Sequence, residues 1–192
     1  MRVTREQAME NRERVVEMAS RLFREHGFDG VGIADVMKAA GLTHGGFYGH
    51  FRSKDDLMAE AMEKALIGGT DIWASLESAP TEDTIDALID RYVSDKHRQN
   101  FSGGCGLAAL GSDVARKSPT VKQSYERGLR RFTNLLARAL PSKNAREQRA
   151  AALAMISQMV GALILSRSVN DPALSDEILK TARVALHRQY SH

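Results

Sequence analysis

The 192-residue sequence has one cysteine, four prolines and little excess charge, and each shortage excludes something. A single cysteine cannot form a disulfide within the chain or a cysteine-rich zinc site, and it is typical of proteins in a reducing compartment. The four prolines are well spaced, so we predict that they separate structural elements and do not interrupt helices. A net charge of +3 favours an anionic partner only slightly and does not identify one.

Long apolar segments are also missing. The first 19 residues have no apolar core of the kind found in signal peptides. The longest apolar run, at 150–165, contains Ser157 and Gln158 and is too short to span a bilayer. The hydrophobic and charged fractions, 43% and 27%, are those of an ordinary soluble chain. We therefore expect a cytoplasmic, soluble protein with no membrane partner.

Helical periodicity extends along most of the sequence. In the first helix, Val15, Ala19 and Phe23 recur at intervals of four, and Gly27 follows as a stop signal. Alternating segments typical of strands are absent from the sequence. The pattern predicts an all-α fold, with helices at 5–26, 33–40, 44–50, from 54 onward, and at 82–98, 105–116, 120–140, 145–169 and 175–189.

The helix predicted at 145–169 has an unusual distribution of apolar residues. Between 150 and 165 it is apolar on almost every side, whereas the surface helix of a globular protein has one apolar stripe. Such a helix must be covered all round. A chain of this size offers little cover of its own, so we expect a second copy of the chain to supply the rest.

The three helices predicted in the first 50 residues form a helix-turn-helix pattern, with residues 41–43 as the turn. In such motifs the last helix enters the major groove of DNA while its neighbour crosses the backbone. Glycines at 45, 46 and 49 would let this segment approach DNA closely, and the hydroxyl of Tyr48 would reach a phosphate. Ser53 and Asp56 resemble a capping box that opens the next helix at Lys54, where a phosphate would also be held.

At these residues the chain resembles the TetR family of transcriptional regulators. The resemblance covers about the first 57 residues, and its most specific part runs from Phe47 to Leu57. It is carried by Arg14-Val15-Val16, Ala19, Leu22-Phe23, Gly27-Phe28, Ile33-Ala34-Asp35-Val36, Ala40-Gly41-Leu42-Thr43-His44-Gly45-Gly46-Phe47-Tyr48-Gly49-His50-Phe51-Arg52-Ser53-Lys54 and Leu57. The resemblance implies a helix-turn-helix DNA-binding domain at 1–52 and a larger helical domain for effector binding and dimerisation at 53–192.

The resemblance also implies roles for single residues. Thr43, His44, Gly45 and Phe47 correspond to contacts with bases or adjacent backbone, Tyr48, His50 and Lys54 to phosphate contacts, and Arg2 and Arg5 to an N-terminal arm that reaches DNA. Taken alone, Phe47 is more typical of a core residue than of a base contact. Gly32 departs from the family, which usually has a capping Thr or Ser there; this loss should cost less than about 1 kcal/mol.

From the family we further expect a homodimeric repressor of transcription. Its two recognition helices would enter successive major grooves of a near-palindromic operator, about 34–36 Å apart. A small-molecule effector would shift the helix that begins at Lys54 and so weaken operator binding. The dimer would form through a four-helix bundle of residues 145–169 and 175–189 from each chain, and no cofactor is implied.

Residues in the middle of the chain are candidates for the effector pocket, because methionine and aromatic side chains make adaptable apolar surfaces. They are Ile72, Trp73, Phe101, Leu107, Tyr125, Met155 and Met159. The set favours a hydrophobic or amphipathic ligand. The same residues are also typical of an ordinary core.

Cys105 is an effector candidate of a second kind. It lies near the predicted start of a helix, where the helix dipole and free N–H groups favour a thiolate. The segment 102–107 also resembles the corresponding stretch of TetR-type regulators that respond to reactive electrophiles or oxidants. The alternative is a small buried side chain that closes a turn.

Two other classes of function remain as alternatives. One is a helical interaction module without specific DNA binding, whose recognition helix would be damaged. The other is a small all-α enzyme, but the sequence offers no set of converging titratable groups, and we expect no catalytic residues. His44 and His50 are six residues apart and point to different helix faces, so we also expect no metal site.

Overall fold

The computed structural model describes residues 4–67, 82–140 and 144–190, and every regular element within them is a helix. The all-α prediction is therefore confirmed. The α-helices are α1 (Arg5–His26), α2 (Ile33–Ala39), α3 (Lys54–Ile67), α4 (Glu82–Tyr92), α5 (Asp95–Gln99), α6 (Gly106–Val114), α7 (Pro119–Ala139), α8 (Ala145–Ser168) and α9 (Pro172–Tyr190), and a 3-10 helix at His44–Gly49 lies between α2 and α3.

The described residues belong to two compact units. The first contains residues 4–67 together with 105–128, and the second contains 82–104, 129–140 and 144–190. The predicted boundary after residue 52 divides the chain by function, and it stays a prediction. The first unit extends beyond that boundary, because α3 and α6 fold with the helix-turn-helix segment.

The core of the first unit is built on the apolar stripe of α1. Val15, Ala19 and Phe23 are fully buried, and the ring of Phe23 meets that of Phe28 edge to face at 5.1 Å. Gly106 lies at the start of α6. A Cβ added to this residue would lie 3.0 Å from the Cβ of Ala65 on α3, which is closer than side chains normally pack. Helix α6 therefore begins in direct contact with α3.

Capping residues account for the ends of α1, whose predicted range matches the structure. The hydroxyl oxygen of Thr4 accepts a hydrogen bond from Gln7 N at 3.2 Å, so it satisfies one of the free N–H groups of the first turn. Gly27 follows the last turn at φ 75°, in the left-handed region that glycine adopts without strain.

The single helix predicted at 82–98 is wrong, because the chain breaks between α4 and α5. The hydroxyl of Ser94 donates to Arg91 O at 2.8 Å and accepts from His97 N at 3.2 Å, which ends one helix and caps the next. His97 Nδ1 also lies 2.8 Å from Tyr92 O. Serine competes for backbone hydrogen bonds in this way, and the buried apolar stripe of α4 ends just before it, at Val93.

The segment predicted as an α-helix at 44–50 is a 3-10 helix. Its bonds run from residue i+3 to residue i, as in Gly46 N to Thr43 O at 3.0 Å and His50 N to Phe47 O at 2.9 Å. Three of its six residues are glycines, which lower the stability of a regular α-helix. Pro119 and Pro172 separate elements as predicted, each at the first position of a helix.

In the second unit, α8 packs against α9, with Met155, Met159 and Leu163 of α8 fully buried or nearly so. Several large apolar side chains of this pair stay exposed: Leu153, Ile164, Leu165, Leu174 and Val184. The apolar run at 150–165 lies within the longer helix α8. Helix α8 has 24 residues and is, by length and composition alone, long and apolar enough to cross a membrane. Because core helices of soluble proteins pass the same test, this is weak evidence for a membrane span.

Candidate nucleic-acid interface

The 3-10 helix is fastened to α2 by a tight turn. Gly41 has φ 70°, a left-handed conformation that other residues rarely adopt. After it, Leu42 N donates to Met37 O at 2.9 Å, which closes the end of α2. The turn therefore sets the direction in which the 3-10 helix leaves α2.

The exposed side of the 3-10 helix carries most of the residues predicted to contact DNA. Thr43, His44 and Gly45 are exposed, His50 is half-buried, and 69% of the Tyr48 side chain is accessible. These residues lie together on the turn and on the six-residue segment that follows it. Their roles toward DNA stay a prediction.

Phe47 requires a correction. Its side chain is completely buried, with its ring stacked on Phe51 at 5.5 Å and edge to face with Tyr48 at 5.1 Å. A ring in that position cannot reach a base unless the segment unfolds. Phe47 instead anchors the 3-10 helix to the core of the first unit, in agreement with its apolar character.

The glycines of the 3-10 helix differ in their surroundings. A Cβ at Gly46 would lie 3.6 Å from the Cε of Met37, an ordinary packing contact. A Cβ at Gly45 or Gly49 would meet nothing within 4 Å. Packing within the chain therefore does not require glycine at these two positions, and the bare backbone is available for close approach by a partner.

Arg12 of α1 braces the 3-10 helix, and sequence reasoning missed it. Its Nε donates to His50 O at 3.4 Å, and its guanidinium lies 4.9 Å from the centre of the Phe51 ring. It also pairs with Glu60 of α3 at 2.5 Å. One side chain thus joins α1, α3 and the 3-10 helix at His44–Gly49, which we call the recognition segment. No local pattern marks such a residue, because its partners are 38 and 48 residues away.

The start of α3 has the predicted cap. Asp56 N donates to the hydroxyl oxygen of Ser53 at 3.1 Å. The ammonium of Lys54 donates to Phe28 O at 2.8 Å and is half-buried. An ammonium group has three donors, so this bond leaves others with which Lys54 would hold a phosphate.

Phe28 is also held from the side of α6. Its N–H donates to Asp113 Oδ2 at 3.0 Å, across 85 residues of sequence. The next residue, Asp29, pairs with Lys117 just beyond α6. The hydrogen bond from Lys117 lowers the pKa of the Asp29 carboxyl, and the charges of Lys117, Lys54 and Arg116 act in the same direction. Sequence reasoning missed Asp113, since a long-range partner leaves no signal in the local pattern.

The remaining DNA-binding predictions fall at the N-terminus and at α2. Arg5 is exposed in the first turn of α1, and Arg2 lies outside the described residues. Gly32 supplies no capping side chain to α2. The carboxylate of Asp35 compensates in part by accepting a hydrogen bond from Gly32 N at 2.9 Å.

Three of the effector candidates lie in the first unit. Cys105 is half-buried and immediately precedes α6, as predicted. The hydroxyl of Tyr125 donates to the carbonyl oxygen of the buried Leu107 at 3.4 Å. Burial raises the pKa of Tyr125, and the negative charge of a Cys105 thiolate adds to the shift. Burial also lowers the pKa of Arg24, while the charges of Glu17 and Cys105 oppose this. Cys105 is thus within electrostatic range of a cation and a phenol.

The other effector candidates lie in the second unit or outside the described residues. Met155 and Met159 are buried in α8, whereas 46% of Phe101 is exposed and its ring lies 4.6 Å from the guanidinium carbon of Arg167. Ile72 and Trp73 lie outside the described residues. In the described part of the chain, no three His, Cys, Asp or Glu residues are grouped so that they could hold a metal ion.

Known protein families match both parts of the chain. A family model described as bacterial regulatory proteins of the tetR family matches residues 15–61. A model for the C-terminal domain of LmrA/YxaF-like transcriptional regulators matches residues 81–180, more than half of the chain. The first match takes in most of α1, all of α2, the whole 3-10 helix and the first half of α3.

Relatives extend the likeness over most of the chain. An uncharacterized HTH-type transcriptional regulator of Mycobacterium tuberculosis (strain H37Rv) is 29% identical over 170 residues, which cover 83% of this chain and 86% of that one. The HTH-type transcriptional repressor NemR of Escherichia coli (strain K12) is 26% identical over 142 residues, 72% of this chain and 70% of NemR.

Solved structures share the fold. The crystal structure of E. coli NemR in its reduced form gives a TM-score of 0.77 at 22% identity and covers 93% of this chain and 96% of that one. A TetR transcriptional regulator from Chloroflexus aurantiacus gives a TM-score of 0.75 at 28% identity, over 95% of each chain.

Proposed function

The chain belongs to the TetR family of bacterial transcriptional regulators, and from that premise we propose that it is a homodimeric repressor that leaves its operator when a small effector binds. Regulators of this family are soluble DNA-binding proteins with a helix-turn-helix, and they are not enzymes. They typically dimerise and bind small-molecule effectors. The cytoplasm is the compartment in which we propose that this chain works.

One observation carries the DNA-binding part of the proposal. The 3-10 helix buries Phe47 completely and exposes Thr43, His44, Gly45 and Tyr48 beside it. A rigid apolar anchor under an exposed polar row is what a major-groove reader requires, because the row must keep its shape while it meets base edges and phosphates. A helical interaction module that does not bind specific DNA would not need these exposed residues.

The repressor part of the proposal is supported by a relative. NemR of E. coli, which aligns with 72% of this chain, is a transcriptional repressor. Repression by occupancy needs a dimer whose two recognition segments fit successive major grooves, about 34–36 Å apart. The operator is accordingly expected to be nearly palindromic.

The dimer part is supported by the exposed apolar side chains of α8 and α9. Leu165 is 58% exposed and Val184 49%, and they belong to the two helices predicted to form the interface. Apolar residues clustered on one pair of helices mark a surface that is covered in the working protein. A four-helix bundle, two helices from each chain, would cover it.

The effector part of the proposal favours a small hydrophobic or electrophilic molecule. Cys105 is half-buried at the start of α6 and lies near enough to Arg24 for its charge to affect the guanidinium. The half-buried sulfur is still partly accessible to a small molecule, and the thiolate is the form of cysteine that reacts with electrophiles. NemR, which has the same fold, was solved in a form described as reduced.

The test of DNA binding is fluorescence anisotropy on a duplex from upstream of the chain's own gene, or on one that the protein selects from random sequences. The wild-type protein should resist excess competitor DNA and bind more weakly as salt rises. A Thr43→Ala/His44→Ala variant should bind about tenfold more weakly or worse, because it loses base and backbone contacts. Both side chains are exposed, so circular dichroism should not change.

The matched control for this test is Lys122→Ala, which removes an exposed side chain of α7 in the same unit. It should bind the selected duplex as the wild type does. If random selection yields no enriched sequence and competitor removes all binding, the interaction-module alternative replaces the repressor.

The test of Cys105 uses N-ethylmaleimide, to whose double bond a thiolate adds while a proton is taken from water. Treatment should release the wild-type protein from its duplex and leave a Cys105→Ser variant bound, since serine has no thiolate. Equal responses of the two proteins would show that Cys105 is a structural residue.

A further inference from the structure

Phe28 is held through both of its backbone polar groups. Its N–H donates to Asp113 Oδ2 on α6 at 3.0 Å, and its carbonyl oxygen accepts from Lys54 Nζ on α3 at 2.8 Å. A single residue thus stands between a carboxylate of α6 and the cation that the family resemblance assigns to phosphate binding. All of these residues belong to the first compact unit.

Phe28 has little freedom to move. The Phe28 side chain is completely buried and meets Phe23 edge to face at 5.1 Å. Gly27 precedes it at φ 75°, and a Cβ there would lie 2.7 Å from Asp113 Oδ2. The carboxylate therefore approaches the chain at a place where only glycine leaves room for it.

A second link runs parallel to the first. Asp29 pairs with Lys117, whose side chain is only 14% exposed. Arg116 lies near the other oxygen of Asp113, at 3.4 Å. Residues 113–117, at the end of α6, therefore hold residues 28 and 29 through one hydrogen bond to the backbone and one ion pair.

Helix α6 contacts the end of α3 directly and is linked to the start of α3 through Phe28. At its start, a Cβ on Gly106 would meet Ala65 Cβ at 3.0 Å and Met62 Cε at 3.1 Å, near the end of α3. At its last turn, Asp113 reaches Phe28, which holds Lys54 in the first turn of α3. These contacts form a continuous path from α6 to the carbonyl oxygen that binds the Lys54 ammonium.

We propose that Asp113 is a positioning residue for operator binding, which acts through the backbone of Phe28 to hold the Lys54 ammonium in place for a DNA phosphate. The proposal rests on the proposed function, because Lys54 has this role only if the chain binds DNA. The carboxylate touches no nucleotide; it fixes the peptide that fixes the cation.

The experiment measures the affinity of full-length variants for a fluorescein-labelled duplex selected by the wild-type protein, over a series of salt concentrations. Asp113→Ala should weaken binding about tenfold or more. It should also lower the slope of log affinity against log salt by about 0.9 for each phosphate that the protein no longer binds. Asp113→Asn should retain most of the affinity, since the amide oxygen still accepts from Phe28 N–H.

A double-mutant cycle with Lys54→Gln distinguishes positioning from a general loss of stability. If Asp113 acts through Lys54, then Asp113→Ala adds little once Lys54→Gln is present, because both changes act on the same bond to phosphate. Additive losses, or a loss of affinity in Asp113→Ala with an unchanged salt slope, would overturn the proposal.

Two controls complete the design. Asp95→Ala removes an aspartate that also pairs with an arginine three residues later, but in the second unit, and it should leave the salt slope unchanged. If circular dichroism shows that Asp113→Ala does not fold, Asp113→Ser takes its place, because the serine side chain is too short for its hydroxyl to reach Phe28 N.

The outcomes distinguish failure of the proposed function from failure of this inference. If the wild-type protein selects no duplex, the proposed function itself has failed. If the wild-type protein selects a duplex and Asp113→Ala binds it as the wild type does, the inference alone has failed.

Discussion

Adjacent residues of the recognition segment have opposite surroundings. Phe47 is completely buried, whereas the neighbouring Tyr48 is 69% exposed. The two rings meet edge to face at 5.1 Å, so the buried ring also limits the motion of the exposed one. The Tyr48 hydroxyl is thereby presented to solvent from a fixed base, in the position expected for a phosphate contact.

We expect Tyr48→Phe to weaken operator binding without altering stability. Loss of one hydrogen bond costs about 0.5–1.5 kcal/mol, so the Kd should rise roughly two- to tenfold for each protomer contact. Because the hydroxyl is exposed, the free energy of unfolding should stay within about 0.5 kcal/mol of the wild type. Anisotropy titrations and urea unfolding measure the two quantities.

Tyr190→Phe is the matched control, since its hydroxyl donates to Ala151 O at 3.3 Å inside the second unit. It should lower the free energy of unfolding by about 0.5–1.5 kcal/mol and leave operator affinity unchanged. A Tyr48→Phe variant that loses stability in place of affinity would contradict the assigned role.

Helix α8 has two apolar sides, of which one is buried and the other exposed. One side of α8 is buried, with Met155 and Leu163 wholly covered, while Leu153, Ile164 and Leu165 stay between 38% and 58% exposed. This distribution explains why the sequence of α8 is apolar nearly all round: one face meets α9 of the same chain, and the proposed partner chain would cover the other.

At this scale we expect Leu165→Glu to convert a dimer into monomers. Each dimer would bury two copies of the residue, worth about 1.5–3 kcal/mol apiece, so the dimer Kd should rise about a hundredfold or more. Sedimentation equilibrium at micromolar concentration measures this. Met9→Glu is the control, because Met9 is also 58% exposed but lies on α1. A wild-type protein that sediments as a monomer would refute the dimer.

Local signals are sufficient for some elements and insufficient for others. The sequence predicts the range of helix α1, because an apolar stripe and a stop glycine agree. It does not predict the break at Ser94, because the serine acts by hydrogen bonds that a sequence pattern does not show. The family resemblance predicts the exposed row of the recognition segment, whereas Arg12 and Asp113 act on partners far along the chain and leave no local trace.

At the scale of the whole molecule, stability should depend on pH through His97. Burial lowers the pKa of its imidazole below the ordinary value of 6.5, and the positive charge of Arg167 adds to this, against the hydrogen bond with Tyr92 O. Below pH 6.5, His97 therefore binds a proton in the unfolded chain but not in the folded chain. The contribution of His97 to the free energy of unfolding is fully present above pH 6.5. It is lost as the pH drops toward the lowered pKa of the folded state.

The check is urea unfolding of wild type and His97→Gln at about pH 7.5 and about pH 5.5. Wild type should lose more stability on acidification than the variant, because glutamine does not titrate. If both proteins lose the same amount, the buried imidazole does not contribute to the pH dependence.

The first compact unit is assembled from two separate stretches of chain, 4–67 and 105–128. A ribosome makes them in that order, at about 5–20 residues per second, so the second stretch is finished roughly three to twelve seconds after the first. During that interval Phe28 has no Asp113 to hold its N–H, and the faces of α1 and α3 that α6 covers are bare. We therefore expect chaperones to bind the nascent helix-turn-helix. We also expect it to bind DNA only after α6 has been synthesised.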